Sequence, residues 1–525
     1  LFERNESKQS NWIFESKLPK LKKKQRTPLP DVNQLLVKDG ELRLHEASFE
    51  TDVRLSLNSG APTAESPHAP LNAKGEGSWR GYPFDLEGRV DSPLDLQNQE
   101  RPYHADVRAR AGRTQAHASG ALRGQLQPEN FDIEFDISGN TLGDLYRQTG
   151  IALPDSAPYR LNGRLNRQGD VWSYRKFTGK VGSSDIAGNA SVDLGAERHM
   201  LKGVLTSKRL AFRDLLGFIN VPPGASDEDI EAAKALKQAK PTVLPDRPFK
   251  LEKLRSIDAD VSFEATHIDA PKLPLERMRV HLVLENGVLK INPLDFDAAG
   301  GAIASRLSLD ARKATIQTTL ITEVHKLELP KMFPTVQMTK SGAGLLSGAM
   351  TVTAQGNSVA DMFASANGDI GLIMGEGHIS NLLLELAGLD VAESVKYLFD
   401  KKHTIPLRCA YANFKIVDGQ VTTRGLAFDT TDTIIFGEGN IDLRREAIGM
   451  RLIPQPKDKS PLSLRTPLQI GGTFKDPSFH PEAGPLILRT AAAAALYSVA
   501  PPAALLALIE TGPGKDIDCG PARGS

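Results

Sequence analysis

A chain of 525 residues is long enough for about three conventional domains or for one elongated β-architecture. Its 64 Lys and Arg residues are matched by 64 Asp and Glu, and a formal net charge of zero leaves no basic field for a nucleic-acid partner. The locally basic stretch 17–26, with Lys20, Lys22, Lys23 and Lys24, reads as a solvated linker, with contact to acidic lipid headgroups as the alternative.

The chain starts at Leu1, with neither a signal peptide nor about 20 uninterrupted apolar residues, so a membrane anchor is expected only upstream. Residues 28–220 read as strands and turns. Asp39-Gly40 between two alternating runs predicts a hairpin within Val37–Leu44. Residues 58–75, rich in Pro, Ala, Ser and Gly, predict an exposed loop. Phe131-Asp132-Ile133-Glu134-Phe135-Asp136-Ile137 is the cleanest alternation in the chain. It puts four apolar side chains on one strand face and three acids on the other, as in a sheet with one solvated side. Short helical turns are predicted at Thr141–Tyr146 and Ala211–Phe218. A surface helix is expected to start at the Ser226 cap, with Asp227, Glu228 and Asp229 in its first turn, and to end at Lys240-Pro241.

The strand pattern then restarts at Asp258–Phe263. Asn286-Gly287 and Asp418-Gly419 each predict a hairpin. Ile379–Phe399 carries apolar residues at helical spacing and reads as an amphipathic helix packed on a sheet or in a groove. Gly484–Ile509 is rich in Ala and Leu, and Pro501-Pro502 divides it into two short apolar helices. A phrase of two alternations around a small-residue step recurs at Asp185–Leu194, Gly301–Asp310 and Ile434–Leu443. Repeating such a unit extends a sheet with one continuous apolar face, which suits holding something apolar better than performing a reaction.

Reaction chemistry has no matching motif. No Walker loop, Gly-x-Ser-x-Gly elbow or His-Glu-x-x-His occurs, so no cofactor is called for. The triplet Gly-Glu-Gly at 75–77, 375–377 and 437–439 sits beside strand phrases and reads as bends or close backbone approaches. His403 and His480 lack a second ligand at metal spacing, and Asp258 and Asp260 fall on one solvated strand face. Cys409 and Cys519 are the two cysteines, either inert thiols or, in an oxidising compartment, a bond tying the tail to the sheet. Such a bond would stabilise by about 4–5 kcal/mol in the chain-entropy model, less any strain.

Several phrases together resemble the AsmA-like family of Gram-negative envelope proteins. They are Asn11-Trp12-Ile13-Phe14, the glycine-to-helix step over 375–399, Ile405–Ala410, Lys457–Leu468, Gly471–Ser478 and the final Asp518-Cys519. The resemblance implies a long curved β-sheet, rich in antiparallel pairing, that forms an open apolar groove with short helices and a helical C-terminal region. The divisions are then a basic linker with partial first strands (1–30), a first groove segment (31–220), a helical insertion (221–250), a second groove segment with helix 379–399 (251–480) and apolar helices with a tail (481–525). It further implies carriage of phospholipids between inner and outer membranes, in support of outer-membrane integrity. The protein would sit in the periplasm, held to the inner membrane by a helix missing from this sequence, with the outer membrane or an envelope protein as a further partner. In the first segment, Phe131, Ile133, Phe135 and Ile137 are expected to line the groove. In the second, Val280, Leu282, Leu284, Leu307, Leu309, Ile441 and Leu443 are. The same residues could instead form a closed sandwich core, and the alternative function is assistance to outer-membrane protein assembly.

Overall fold

The computed structural model describes residues 2–4, 34–46, 50–62, 68–97, 102–122, 130–149, 151, 153–219, 242–270, 274–332, 344–379, 405–431, 433–457, 467–482 and 515–517. The chain divides into two compact units. One comprises Leu1–Phe218, Pro222–Gly224 and Ser256–Phe263, and the other the remainder. Both are built mainly from antiparallel strands with few helices.

In the first unit the strands are β1 (Phe2–Arg4), β2 (Gly40–Glu46), β3 (Thr51–Ser59), β4 (Leu71–Trp79), β5 (Tyr82–Val90), β6 (Tyr103–Ala111) and β7 (Thr114–Leu122). They continue as β8 (Asn130–Gly139), β9 (Tyr159–Gln168), β10 (Val171–Val181), β11 (Ser184–Asp193) and β12 (His199–Ser207). β1 lies parallel to β2, and from β2 to β12 each strand pairs antiparallel with the next. Short β13 (Leu210–Ala211) follows, and most of β14 (Ile257–Ala265) also belongs to this unit. Antiparallel neighbours can be joined by two-residue turns, as between β4 and β5, β6 and β7, β9 and β10, and β10 and β11, while longer connections join β3 to β4, β5 to β6 and β8 to β9.

The second unit contains β15 (Ile268–Asp269), β16 (Leu275–Glu285), β17 (Val288–Ala298), β18 (Gly301–Asp310), β19 (Gln317–Glu328), β20 (Leu345–Gln355) and β21 (Asn367–Met374). After β22 (Gly377–Ile379) come β23 (Ile405–Val417), β24 (Gln420–Thr430), β25 (Thr433–Asp442), β26 (Ala447–Pro456), β27 (Leu468–Gly472) and β28 (Pro477–Pro481). β16 to β21 form one antiparallel run. β21 and β22 lie end to end along β23, and the run continues to β28.

The three recurring phrases each form a strand, β11, β18 and β25. Asn286-Gly287 and Asp418-Gly419 form the expected two-residue turns, with φ of 47° and 74° in the first and 47° and 76° in the second. Two consecutive positive φ values match the right-handed twist of the flanking strands, which Asn-Gly and Asp-Gly tolerate best. Asp39-Gly40 behaves differently, and the hairpin expected there is corrected. Residues 34–37 form no strand, and β2 starts at Gly40. Val37 instead exchanges hydrogen bonds with Ser59 at the end of β3, and the Asp39 N–H donates to Asn58 Oδ1. The expected loop over 58–75 also shrinks: β3 runs to Ser59 and β4 starts at Leu71, with Ala69 and Pro70 buried between them. In β4, a Cβ on Gly75 would collide with the carbonyl oxygen of Arg54, so this Gly-Glu-Gly marks a close backbone approach.

Thr141 caps a helical turn that continues through Leu145–Thr149, and a 3₁₀ helix covers Phe212–Ile219, both where the sequence expects them. The helices expected over 226–240, 379–399 and 484–509, and the basic stretch 17–26, lie outside the described residues apart from Ile379, the last residue of β22. Among the described residues no helix is long and apolar enough to cross a membrane.

Candidate functional site

The alternation of β8 is carried across its neighbours by register. Ile133 faces Leu165 on β9, which faces Tyr174 on β10, which in turn faces Ala190 on β11. Ile137 faces Leu161, while Phe135 lies between Ala118 and Gly163. Phe131 meets Trp172, two strands away, edge-on at 5.5 Å, and Phe135 meets Tyr174 at 5.9 Å. Rings from alternate strands therefore touch above the strand between them, each such contact adding about 0.5–1.5 kcal/mol beyond area burial. The Tyr174 hydroxyl donates to the Phe135 carbonyl at 2.8 Å, and burial holds its pKa well above the usual tyrosine range. Ile137 packs into a tighter cluster at the strand end, with buried Tyr159, Leu161 and Phe177 and the helical residues Leu142 and Leu145.

Phe131, Ile133, Phe135 and Ile137 are all half-buried, whereas Asp132, Glu134 and Asp136 on the other face are exposed. In the second unit, Leu282 faces Ile291, then Leu307, Leu320 and Val352 on successive strands. Leu284 faces Leu289, which faces Leu309, and Val280 faces Leu294. A register shift at Asn292-Pro293 separates these sets, because proline has no N–H to give the ladder. Val280, Leu282, Leu307 and Leu309 are half-buried, and Leu284 is buried at 7% exposure. Ile441 and Leu443 pack beside the buried cluster of Ala366, Ile416 and Val421 and belong to a local core as well as to a sheet face.

The opposite face of the first unit is polar and carries a recess of about 1560 Å³. Its walls are charged rows: Arg54, Glu76, Asp85 and Arg110 in one register line, Lys74, Glu87 and Arg108 in the next. No apolar residue signal in the sequence pointed to this recess, which arises only once the strands are laid side by side. Among the described residues no group of three or more His, Cys, Asp or Glu is placed to hold a metal ion.

Residues 33–426, three quarters of the chain, match the model of the AsmA family. The chain belongs to the AsmA family. It is 33% identical over 458 residues to the AsmA family protein YhjG of Escherichia coli (strain K12), a match that covers 85% of this chain and 67% of that protein.

In this AsmA-family chain, two buried acids hold distant segments to strands of the second unit, and neither was legible as a motif. Asp429 on β24 is fully buried and is met by Lys457 Nζ, by Arg408 Nη1 at 3.1 Å and by the N–H of Ile517 at 3.1 Å. Asp516 bridges back to Lys457 and Arg408, so residues 515–517 dock on the β23–β24 pair. Cys409 faces Asp429 in register, is 5% exposed and is disulfide-bonded; its expected partner, Cys519, lies outside the described residues. Glu446, 2% exposed in the turn before β26, accepts from the N–H groups of Val243 and Leu244 at 2.6 and 3.0 Å. Lone acids in strands and turns look like solvated ones until the chain they answer has folded against them.

Proposed function

We propose that this protein is a periplasmic, bridge-like carrier of phospholipids between the inner and outer membranes, with acyl chains lying along the apolar sheet face and headgroups left in water. Family membership supports an envelope role in lipid transport or assembly. The observation that carries the finer reading is the register. Apolar side chains of adjacent strands align into rows, and ten of the eleven candidate positions stay half-buried. Taking a two-chain lipid through water exposes about 30 methylenes at roughly 0.8 kcal/mol each, on the order of 25 kcal/mol. Aliphatic rows remove most of that cost without a specific pocket, so movement needs only weak and nearly uniform contacts. The same reading takes Cys409–Cys519 as a bond that ties the C-terminal tail to the sheet in an oxidising compartment.

A photoreactive residue at Ile133 is expected to capture phospholipid in cells. Ile133→Asp with Phe135→Asp is expected to reduce lipid transfer at least tenfold while circular dichroism stays unchanged. Undiminished lipid capture at other sites on this face in the doubly substituted protein would sink the proposal. Capture of unfolded barrel proteins instead of lipid would move the function to outer-membrane protein assembly.

A further inference from the structure

On the polar face of the first unit, register puts like charges directly opposite one another at four described places. They are Arg43 with Arg54, Glu76 with Asp85, Arg164 with Arg175, and Arg160 with Lys180. Such pairs destabilise a sheet unless something relieves them. Three have relief inside the protein. Arg43 Nε lies 2.7 Å from Glu41, and Arg164 Nε lies 3.1 Å from Asp132. Glu76 and Asp85 are flanked in register by Arg54 and Arg110.

The fourth pair has an acid in register on one side only and an ion pair on neither. Beyond Arg160 lies Ser138, a neutral neighbour. Beyond Lys180 lies Asp185, whose carboxylate is already used by Ser207 Oγ and by the N–H groups of Lys208 and Arg209 at 2.6–3.2 Å. Among the described residues neither cation has a carboxylate at ion-pairing distance. Both cations line the recess, together with Ser138, Gln115, Arg108 and Arg110. Asp136, the one acid lining this end, is 3.4 Å from His117, which also sits 3.2 Å from Asp106.

We propose that Arg160 and Lys180, with Ser138 and Gln115 beside them, form a binding site for a phosphate ester. A guanidinium fork supplies paired donors, the ammonium a compact charge, and the hydroxyl and amide two neutral donors. Arg160 and Lys180 stand opposite each other on adjacent strands, about 4.8 Å apart, so both long side chains can reach one tetrahedral oxyanion, with Ser138 next in the same register line and Gln115 beyond it. Sites of function are where locally unfavourable arrangements persist. The site lies on the face opposite the apolar rows and stands independently of lipid carriage. A lipid headgroup and a free phosphorylated compound share the chemistry.

The intact chain is titrated at low ionic strength with inorganic phosphate and with glycerophosphoethanolamine, a headgroup without acyl chains, followed by phosphorus NMR. Saturable binding of at least one is expected. It should weaken at least tenfold in the Arg160→Gln/Lys180→Gln variant, about threefold in Ser138→Ala, and not at all in Arg43→Gln. Binding of both probes assigns phosphate esters generally, and preference for glycerophosphoethanolamine assigns a headgroup. The doubly substituted protein is expected to melt no lower than the parent, since it loses a repulsion. Absence of saturation with both probes, or unchanged affinity in that variant, overturns the proposal.

Discussion

At the scale of single residues, the strongest local constraints are buried acids answering backbone donors. Glu446 accepts two N–H groups 202 and 203 positions away in sequence, and its own carbonyl accepts from Phe474 N–H. Charge-assisted hydrogen bonds of this kind contribute more than neutral ones, and deleting the carboxylate strands two donors. Glu446→Ala is therefore expected to cost about 2–4 kcal/mol, read as a lowered denaturant midpoint, with Glu446→Gln recovering part of it. Tyrosines report the same interior from the acid–base side. Burial pushes the hydroxyls of Tyr103 and Tyr159 up to about 12.

At the scale of elements, turns and a docked tail are governed by different physics. Asn286-Gly287 turns tightly because β16 and β17 are consecutive and pair directly up to the turn, with Glu285 opposite Val288. Asp39-Gly40 has the same chemistry, yet the chain before it lies against the end of β3 rather than against β2. The docked residues 515–517 are an ionic device. The Lys457 hydrogen bond holds the Asp516 carboxyl below the usual range, with Arg408 assisting. Burial alone pulls Lys457 down, but Asp429 and Asp516 outweigh it and hold the ammonium above its usual range. A lowered acid favours docking above about pH 4 and loses it as pH falls through the lowered value. A raised ammonium favours docking below about pH 10 and loses it as pH climbs through the raised value. Proteolytic release of the tail is thus expected to be slowest between about pH 5 and 9 and to accelerate at both extremes. With the Cys409–Cys519 bond in place, cleaved tail stays attached until a reductant is added. Release without reductant would show that Cys409 pairs otherwise.

At the scale of the molecule, stability is distributed. Each unit buries its apolar side chains in small clusters along the sheet, such as Met374, Leu407 and Ala410 in one place and Ala298, Ala299 and Leu327 in another. Because strands pair with sequence neighbours, a defect should act mainly on the adjoining strands, as in other quasi-one-dimensional architectures. Leu284→Ala is expected to cost about 2–5 kcal/mol locally. Hydrogen exchange should quicken in β16–β18 and stay unchanged in β25–β28. Uniform acceleration across the second unit would instead reveal one cooperative core.

The alternation over Phe131–Ile137, the recurring ten-residue phrases and the Asn286-Gly287 and Asp418-Gly419 turns determined by themselves that the chain is mainly antiparallel β-structure, because strand periodicity and turn conformation are local properties. Family membership was legible from other local phrases, such as Ile405–Ala410 and Gly471–Ser478. Only the tertiary structure decided which strand each row faces, that Asp429 and Glu446 are anchors, and that Arg160 and Lys180 stand opposed with no ion pair to a carboxylate among the described residues. Those outcomes depend on register between segments far apart in sequence, and charge or burial at a position is fixed by neighbours that a one-dimensional pattern cannot specify.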